Sequence, residues 1–277
     1  MDFLLTLTHA YPPNVLIGLA LILLVSGLMS GLSGFGFSAI GALCLWLLPP
    51  KLGVPLLMSL STANQLMSLR QLKADLKPWK EWWPDGPTPY LLGGVIGVPV
   101  GLSILHGLPT GVLMLVFGGF LVAYAAYSIL KPDRVHVEVK ETPLISAFVG
   151  MIGGVIGGFT AFPGAAVVVW SGLRRLPKRE SRSIVQPYIL GLQLISLALL
   201  AVQHPETFGK NFWALLIFTV PVVLPGTLMG VNLYRRISDI NFRKVTFLLL
   251  GISGLGLLAK AAAVPPLATM LGKMLGH

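Results

Sequence analysis

The chain has 277 residues, of which 55% are hydrophobic and only 11% charged, less than half the roughly 25% charge of an average soluble domain. That imbalance excludes an ordinary water-soluble domain, and the net charge of +10 does not argue for a nucleic-acid partner, because basic loops beside apolar spans are what membrane insertion requires. A single cysteine, Cys44, set in an apolar stretch, excludes an internal disulfide and a cysteine metal cluster.

Met1–Asn14 carry no Lys or Arg, so the first apolar run lacks the basic flank of a cleaved leader and is expected to stay in the fold. Apolar blocks then follow at 15–48, 54–69, 90–105, 111–130, 143–171, 184–202, 213–233 and 245–264. A helix needs about 20 such residues to cross the hydrocarbon, so the chain reads as one all-α polytopic membrane domain over 1–277, with the lipid bilayer as its first partner. Blocks one and five are long and interrupted by glycine. Between blocks two and three, Trp79, Trp82, Trp83 and Tyr90 beside Lys77 and Lys80 predict an amphipathic stretch lying in the headgroups.

Glycines at 27, 31, 34 and 41 reappear 123 positions later at 150, 154, 157 and 164; Gly97 and Gly101 answer to Gly226 and Gly230, and Gln65 and Ser68 to Gln193 and Ser196. The chain therefore reads as repeat one (15–130) and repeat two (143–264), joined by a linker at 131–142. Single crossings of all eight blocks would divide the basic residues evenly between the two sides. If the glycine-broken blocks fold back, as re-entrant hairpins or as two passes, the loops at 70–89, 131–142, 172–183 and 234–244 share one side. Those loops hold 16 of the 20 basic residues, which makes that side cytoplasmic and the membrane a plasma or inner membrane. Each repeat then has three transmembrane helices and one broken segment. That odd number of crossings turns the halves into inverted repeats, whose relation lets one site face either side in turn.

All ten carboxylates fall in loops or tails, so no intramembrane relay of the usual kind is available. His9, His106, His136, His204 and His277 are scattered. No metal site, cofactor motif or nucleophile–base set is apparent, and an enzyme is not expected. What remains at membrane depth is backbone and neutral polar side chains. A helix restarting after a break presents N–H donors and a partial positive charge, which bind an anion without any buried Lys or Arg. The segments Ser33, Gly34, Phe35, Gly36, Phe37, Ser38 and Gly157, Gly158, Thr160, Ala161, Phe162, Pro163 fit that role, with Asn64, Gln65 and Gln193 as neighbouring polar candidates. Pro163 suits the start of a restarting helix. The competing structural reading makes the glycines packing contacts and Asn64 and Gln65 interhelical hydrogen-bond glue.

Gly157 through Pro163, then Leu176-Pro177-Lys178 and Arg182, together with Gly34 to Gly41 and the small-residue run Gly94 to Gly101, resemble the TauE/SafE family of sulfite and organosulfur anion transporters over nearly the whole length. Phe35, Phe37 and Ser38 stand where that family is usually richer in glycine. The resemblance implies a secondary transporter exporting a small sulfur-containing anion, sulfite or a short organosulfonate. Taken without it, the residues leave open a carrier or channel for another small solute, or a non-transporting membrane subunit.

Overall fold

The computed structural model describes residues 7–71, 78–130, 142–174, 176–234, 248, 251–252 and 254–262. The linker at 131–141, the basic loop at 235–244 and most of 245–253 lie outside the described residues.

Among those described, every regular element is helical: α1 (Pro13–Ser33), α2 (Phe37–Gly41, continued by a tighter turn Ala42–Trp46), α3 (Pro50–Gln71), α4 (Pro87–Gly107), α5 (Thr110–Leu130), α6 (Pro143–Thr160), α7 (Gly164–Leu173), α8 (Lys178–Gln203) and α9 (Lys210–Tyr234). Proline opens α1, α4 and α6, where its missing N–H would have been unpaired anyway. Thr142 Oγ1 accepts the Ile145 N–H at 3.3 Å and caps α6.

Among the described residues, six helices are long and apolar enough to cross a bilayer. Ile17, Leu21, Ile96, Leu144 and Val202 are among the large apolar side chains left exposed, a surface suited to a lipid environment. The chain is a multi-pass membrane protein. The 22-residue α3 is also of spanning length. Like α8, it buries polar side chains inside the protein, here Ser61, Thr62, Asn64, Gln65 and Ser68.

α1 packs along α9 and α6 along α4, while α3 and α8 lie against each other and touch α9 and α4 respectively. Glycine permits the two closest approaches. A Cβ at Gly31 would meet the Gly230 Cα at 3.0 Å, and one at Gly158 would meet the Gly101 Cα at 2.7 Å. These contacts correct the glycine register expected from spacing. Gly27 and Gly154 face the Val223 and Gly94 carbonyls, and Gly31 and Gly158 face Gly230 and Gly101. The matching offset in α1 and α6 is therefore 127, one helical turn from 123, because equivalence is set by which backbone each glycine touches. Gly97 and Gly101 face the Met151 and Val155 carbonyls, and Gly226 and Gly230 those of Leu24 and Leu28.

Two other expectations change. Tyr90 belongs to α4, is fully buried and meets Tyr188 edge-on at 6.4 Å, so it is a core residue rather than part of a headgroup stretch. Before it, the chain makes only a short 3₁₀ turn, Trp79–Glu81, with Trp83 exposed. The basic segment 172–183 is not one loop: Gly172 and Leu173 close α7. Lys178 starts α8, and Glu180 in its first turn suits the positive end of the helix dipole.

At another corner His204 stacks on His106 with ring centroids 3.6 Å apart, tying the α8–α9 turn to the end of α4. The Glu206 carboxylate accepts from His204 Nδ1 at 3.0 Å. Its own backbone N–H, then that histidine, hold the Glu206 carboxyl below its usual range.

Candidate functional site

α1 stops at Gly34, whose φ of +82° is left-handed and whose N–H reaches the Ser30 carbonyl at 2.7 Å. Glycine adopts that conformation without Cβ strain. Ser33 Oγ then accepts the N–H groups of Phe35 (3.3 Å) and Gly36 (3.0 Å) and donates to Met29 O. Phe37 begins the short α2, with no side chain capping its start. Phe37 and Ser38 are buried and Phe35 is half-buried.

α6 stops in the same way at Ala161, with φ +58° and its N–H on the Gly157 carbonyl at 2.8 Å. Thr160 Oγ1 takes the Ser33 role, accepting the Phe162 N–H at 3.1 Å and donating to Ile156 O. Pro163 stands as the residue before α7, where its lack of an N–H leaves no donor to satisfy. Gly157 and Gly158 are not at the break, as their sequence context predicts, but inside the last turn of α6. Glycine content marked the close packing of Gly158 on Gly101, and the turn itself fell on an alanine.

One glutamine holds each break. Gln65 Nε2 donates to the Gly34 carbonyl and Gln193 Nε2 to the Ala161 carbonyl, both at 2.9 Å. The left-handed residue's C=O would otherwise be an unmet buried acceptor. Both side-chain oxygens, Gln65 Oε1 and Gln193 Oε1, are buried without a hydrogen-bond partner. Asn64 serves differently: its amide donates to Ser30 Oγ at 2.6 Å and accepts from Thr227 Oγ1, joining α3 to α1 and α9. That is the interhelical-glue arrangement.

The first break carries two side chains that the sequence reading left out of the site. Arg182 is only 7% exposed and its Nη2 donates to the Gly31 carbonyl at 3.1 Å. A Cβ on Gly34 would stand 3.0 Å from Arg182 Nε and 3.1 Å from Gln186 Nε2. Gln186 is fully buried, and neither its Nε2 nor its Oε1 has a hydrogen-bond partner. The expectation of an anion cradle without an embedded cation is thereby corrected. Counting every arginine near a block edge as loop hid Arg182; the signal that finds it is Arg182, Gln186 and Gln193 at i, i+4 and i+11, one polar stripe along α8.

That stripe places the breaks relative to each other. Gln186 lies at the first and Gln193 at the second, two turns along the same helix face, a rise of about 10 Å. The second break has an aromatic border instead: Phe162 meets Phe120 and Tyr124 edge-on at 6.5 and 6.0 Å. Of the fifteen candidate residues, the structure gathers Ser33 to Ser38 with Gln65 around one break and Thr160 to Pro163 with Gln193 around the other. Gly158 and Asn64 hold helices together, while Gly157 closes the second break from within α6, its carbonyl taking the Ala161 N–H and its missing Cβ leaving room for Pro163.

Among the described residues no group of three or more His, Cys, Asp or Glu side chains is placed to hold a metal ion. Comparison with known families finds one whose model, described as Sulfite exporter TauE/SafE, matches residues 19–257. No curated protein and no solved structure matches the chain.

Proposed function

Because the chain belongs to the sulfite exporter TauE/SafE family, we propose that it is a secondary transporter that exports a small sulfur-containing anion, sulfite or a short organosulfonate, across a plasma or inner membrane. The observation that carries this reading is the pair of helix breaks held over one face of α8, each fixed by a glutamine on its left-handed carbonyl. Non-helical backbone at membrane depth is tolerated only when buried in protein or lining a cavity. Two such breaks facing one polar stripe make a place for a desolvated anion between them.

The donors are not the ones that helix ends alone would supply. Ser33 and Thr160 take up the first free N–H groups after each break, so Arg182 and Gln186 contribute what the backbone does not. The matched breaks, the exchange of packing partners between α1/α9 and α6/α4, and the excess of basic residues at 70–89, 131–142, 172–183 and 234–244 support an inverted repeat with those segments cytoplasmic. Alternating access then follows from rocking one half against the other around a fixed site. An inside-negative potential of 100 mV contributes about 2.3 kcal/mol per charge to outward anion movement, and export needs no carboxylate relay.

Purified protein in liposomes loaded with sulfite tests this. Efflux should accelerate when the interior is made negative, and short sulfonates should compete. Failure to move sulfite, sulfonates, sulfate or carboxylates under any imposed potential would overturn the transport reading.

A further inference from the structure

The two breaks share a backbone solution but not a chemistry. Gln65 and Gln193 occupy matching places, each donating to the left-handed residue of its break. By that same offset of 128, Arg182 and Gln186 correspond to Val54 and Met58, both buried and apolar. The second break therefore has no counterpart of the polar pair beside Gly34, and its border is Phe162 with Phe120 and Tyr124.

At the first break the unmet atoms are of two kinds. Gln186 brings an amide donor and an amide acceptor, both buried and unpartnered, and Gln65 brings a second unpartnered acceptor, Oε1. The Gln65 assignment is fixed, since the other rotamer would set its oxygen against the Gly34 carbonyl. For Gln186 either orientation leaves one donor and one acceptor. A bare oxyanion satisfies donors and is repelled by acceptors. An oxyanion that still carries a hydrogen satisfies both.

We propose that the first break holds the anion and selects an oxyanion bearing a hydrogen, with Arg182 and the Gln186 amide donating to its oxygens and Gln65 Oε1 and Gln186 Oε1 accepting its hydrogen. Hydrogensulfite has this character, as does a sulfonate bearing an N–H or O–H on its sulfur or first carbon. The absence of a Cβ at Gly34 keeps the approach to both side chains open. This inference rests on the transport reading above.

Two probes of equal charge and similar size separate the hydrogen from the charge: sulfamate, which offers N–H donors, and methanesulfonate, which offers a methyl group. Titrated into the detergent-solubilised full chain by calorimetry, sulfamate should bind about tenfold or more tightly, since the methyl group leaves buried acceptors unpaired. Gln186→Met, near-isosteric and removing an amide that has no partner in the fold, should retain the thermal stability of the unliganded protein. It should also weaken sulfamate about tenfold and erase the discrimination. Equal affinity for the two probes, or an unchanged ratio in Q186M, would overturn the inference. If the wild type moves sulfite in liposomes while Q186M still discriminates, the inference falls and the transport reading stands. If the wild type moves no anion, the transport reading falls, and the inference with it.

Discussion

The break after α1 and the break after α6 solve one backbone problem with different residues. Each ends a helix in a left-handed residue, reuses a hydroxyl one position earlier to bind the next free N–H, and borrows a glutamine from a neighbouring helix for the exposed carbonyl. Gly34 does this without strain, whereas Ala161 does it against the steric preference of an L-residue. The surroundings diverge further: a guanidinium and the wholly unpartnered Gln186 amide on one side, aromatic rings beside the single unmet Gln193 Oε1 on the other. The two breaks thus share their backbone geometry and differ in the side chains around it.

That comparison breaks most visibly at its glycine. Gly34→Val must adopt φ +82° with a branched side chain placed against Arg182 and Gln186. It should lose about 2 kcal/mol or more of stability and abolish sulfite efflux, measured by denaturation in detergent and by liposome flux. Arg182→Gln should retain a fold but lower efflux by about tenfold to a hundredfold, the worth of a hydrogen bond to a charged group. The glutamines sharpen the contrast. Gln65→Leu and Gln193→Leu each leave one buried carbonyl unmet and should cost a similar 1–3 kcal/mol or so, while Gln65→Leu alone should also relax the preference for sulfamate.

Ala161→Gly should act in the opposite direction. It removes about 1–2 kcal/mol of left-handed strain against about 0.5–1 kcal/mol of added chain entropy, so the melting temperature should rise slightly. The smallest effect lies away from both breaks. The Glu206 carboxyl is held below its usual range by its own backbone N–H and by His204, so its contribution is present at neutral pH and above the unfolded carboxyl's range. It is lost as pH falls through the lowered folded value. Glu206→Gln should therefore depress the melting temperature slightly at pH 7, and the gap to wild type should close on acidification.

Hydropathy blocks were enough to locate the helices, because a lipid-facing span is defined by length and apolarity, which are local properties. Their edges moved by a few residues where proline starts a helix, as at Pro13, Pro50 and Pro87. The first break was legible since Gly34 sits where only glycine is comfortable. The second was displaced because a left-handed alanine leaves no compositional trace, and the glycines that drew attention, Gly157 and Gly158, are occupied with helix turns and with packing on Gly101. Gln65 and Gln193 were paired by spacing alone and make equivalent bonds. Arg182 escaped because the loop-charge rule treats basic residues near a span as solvated, and only the folded arrangement brings its guanidinium under the end of α1. The contribution of Asn64 to three-helix cohesion likewise depends on Ser30 and Thr227, distant in the chain.

Selenite offers the most direct measurement, as a heavy stand-in for sulfite whose position anomalous scattering reports independently of the protein. In crystals of the protein grown with selenite, the account predicts a single strong anomalous peak beside Gly34, within hydrogen-bonding reach of Gln186 and Arg182. A peak confined to the Thr160–Pro163 turn, or peaks only on the basic loops, would contradict it.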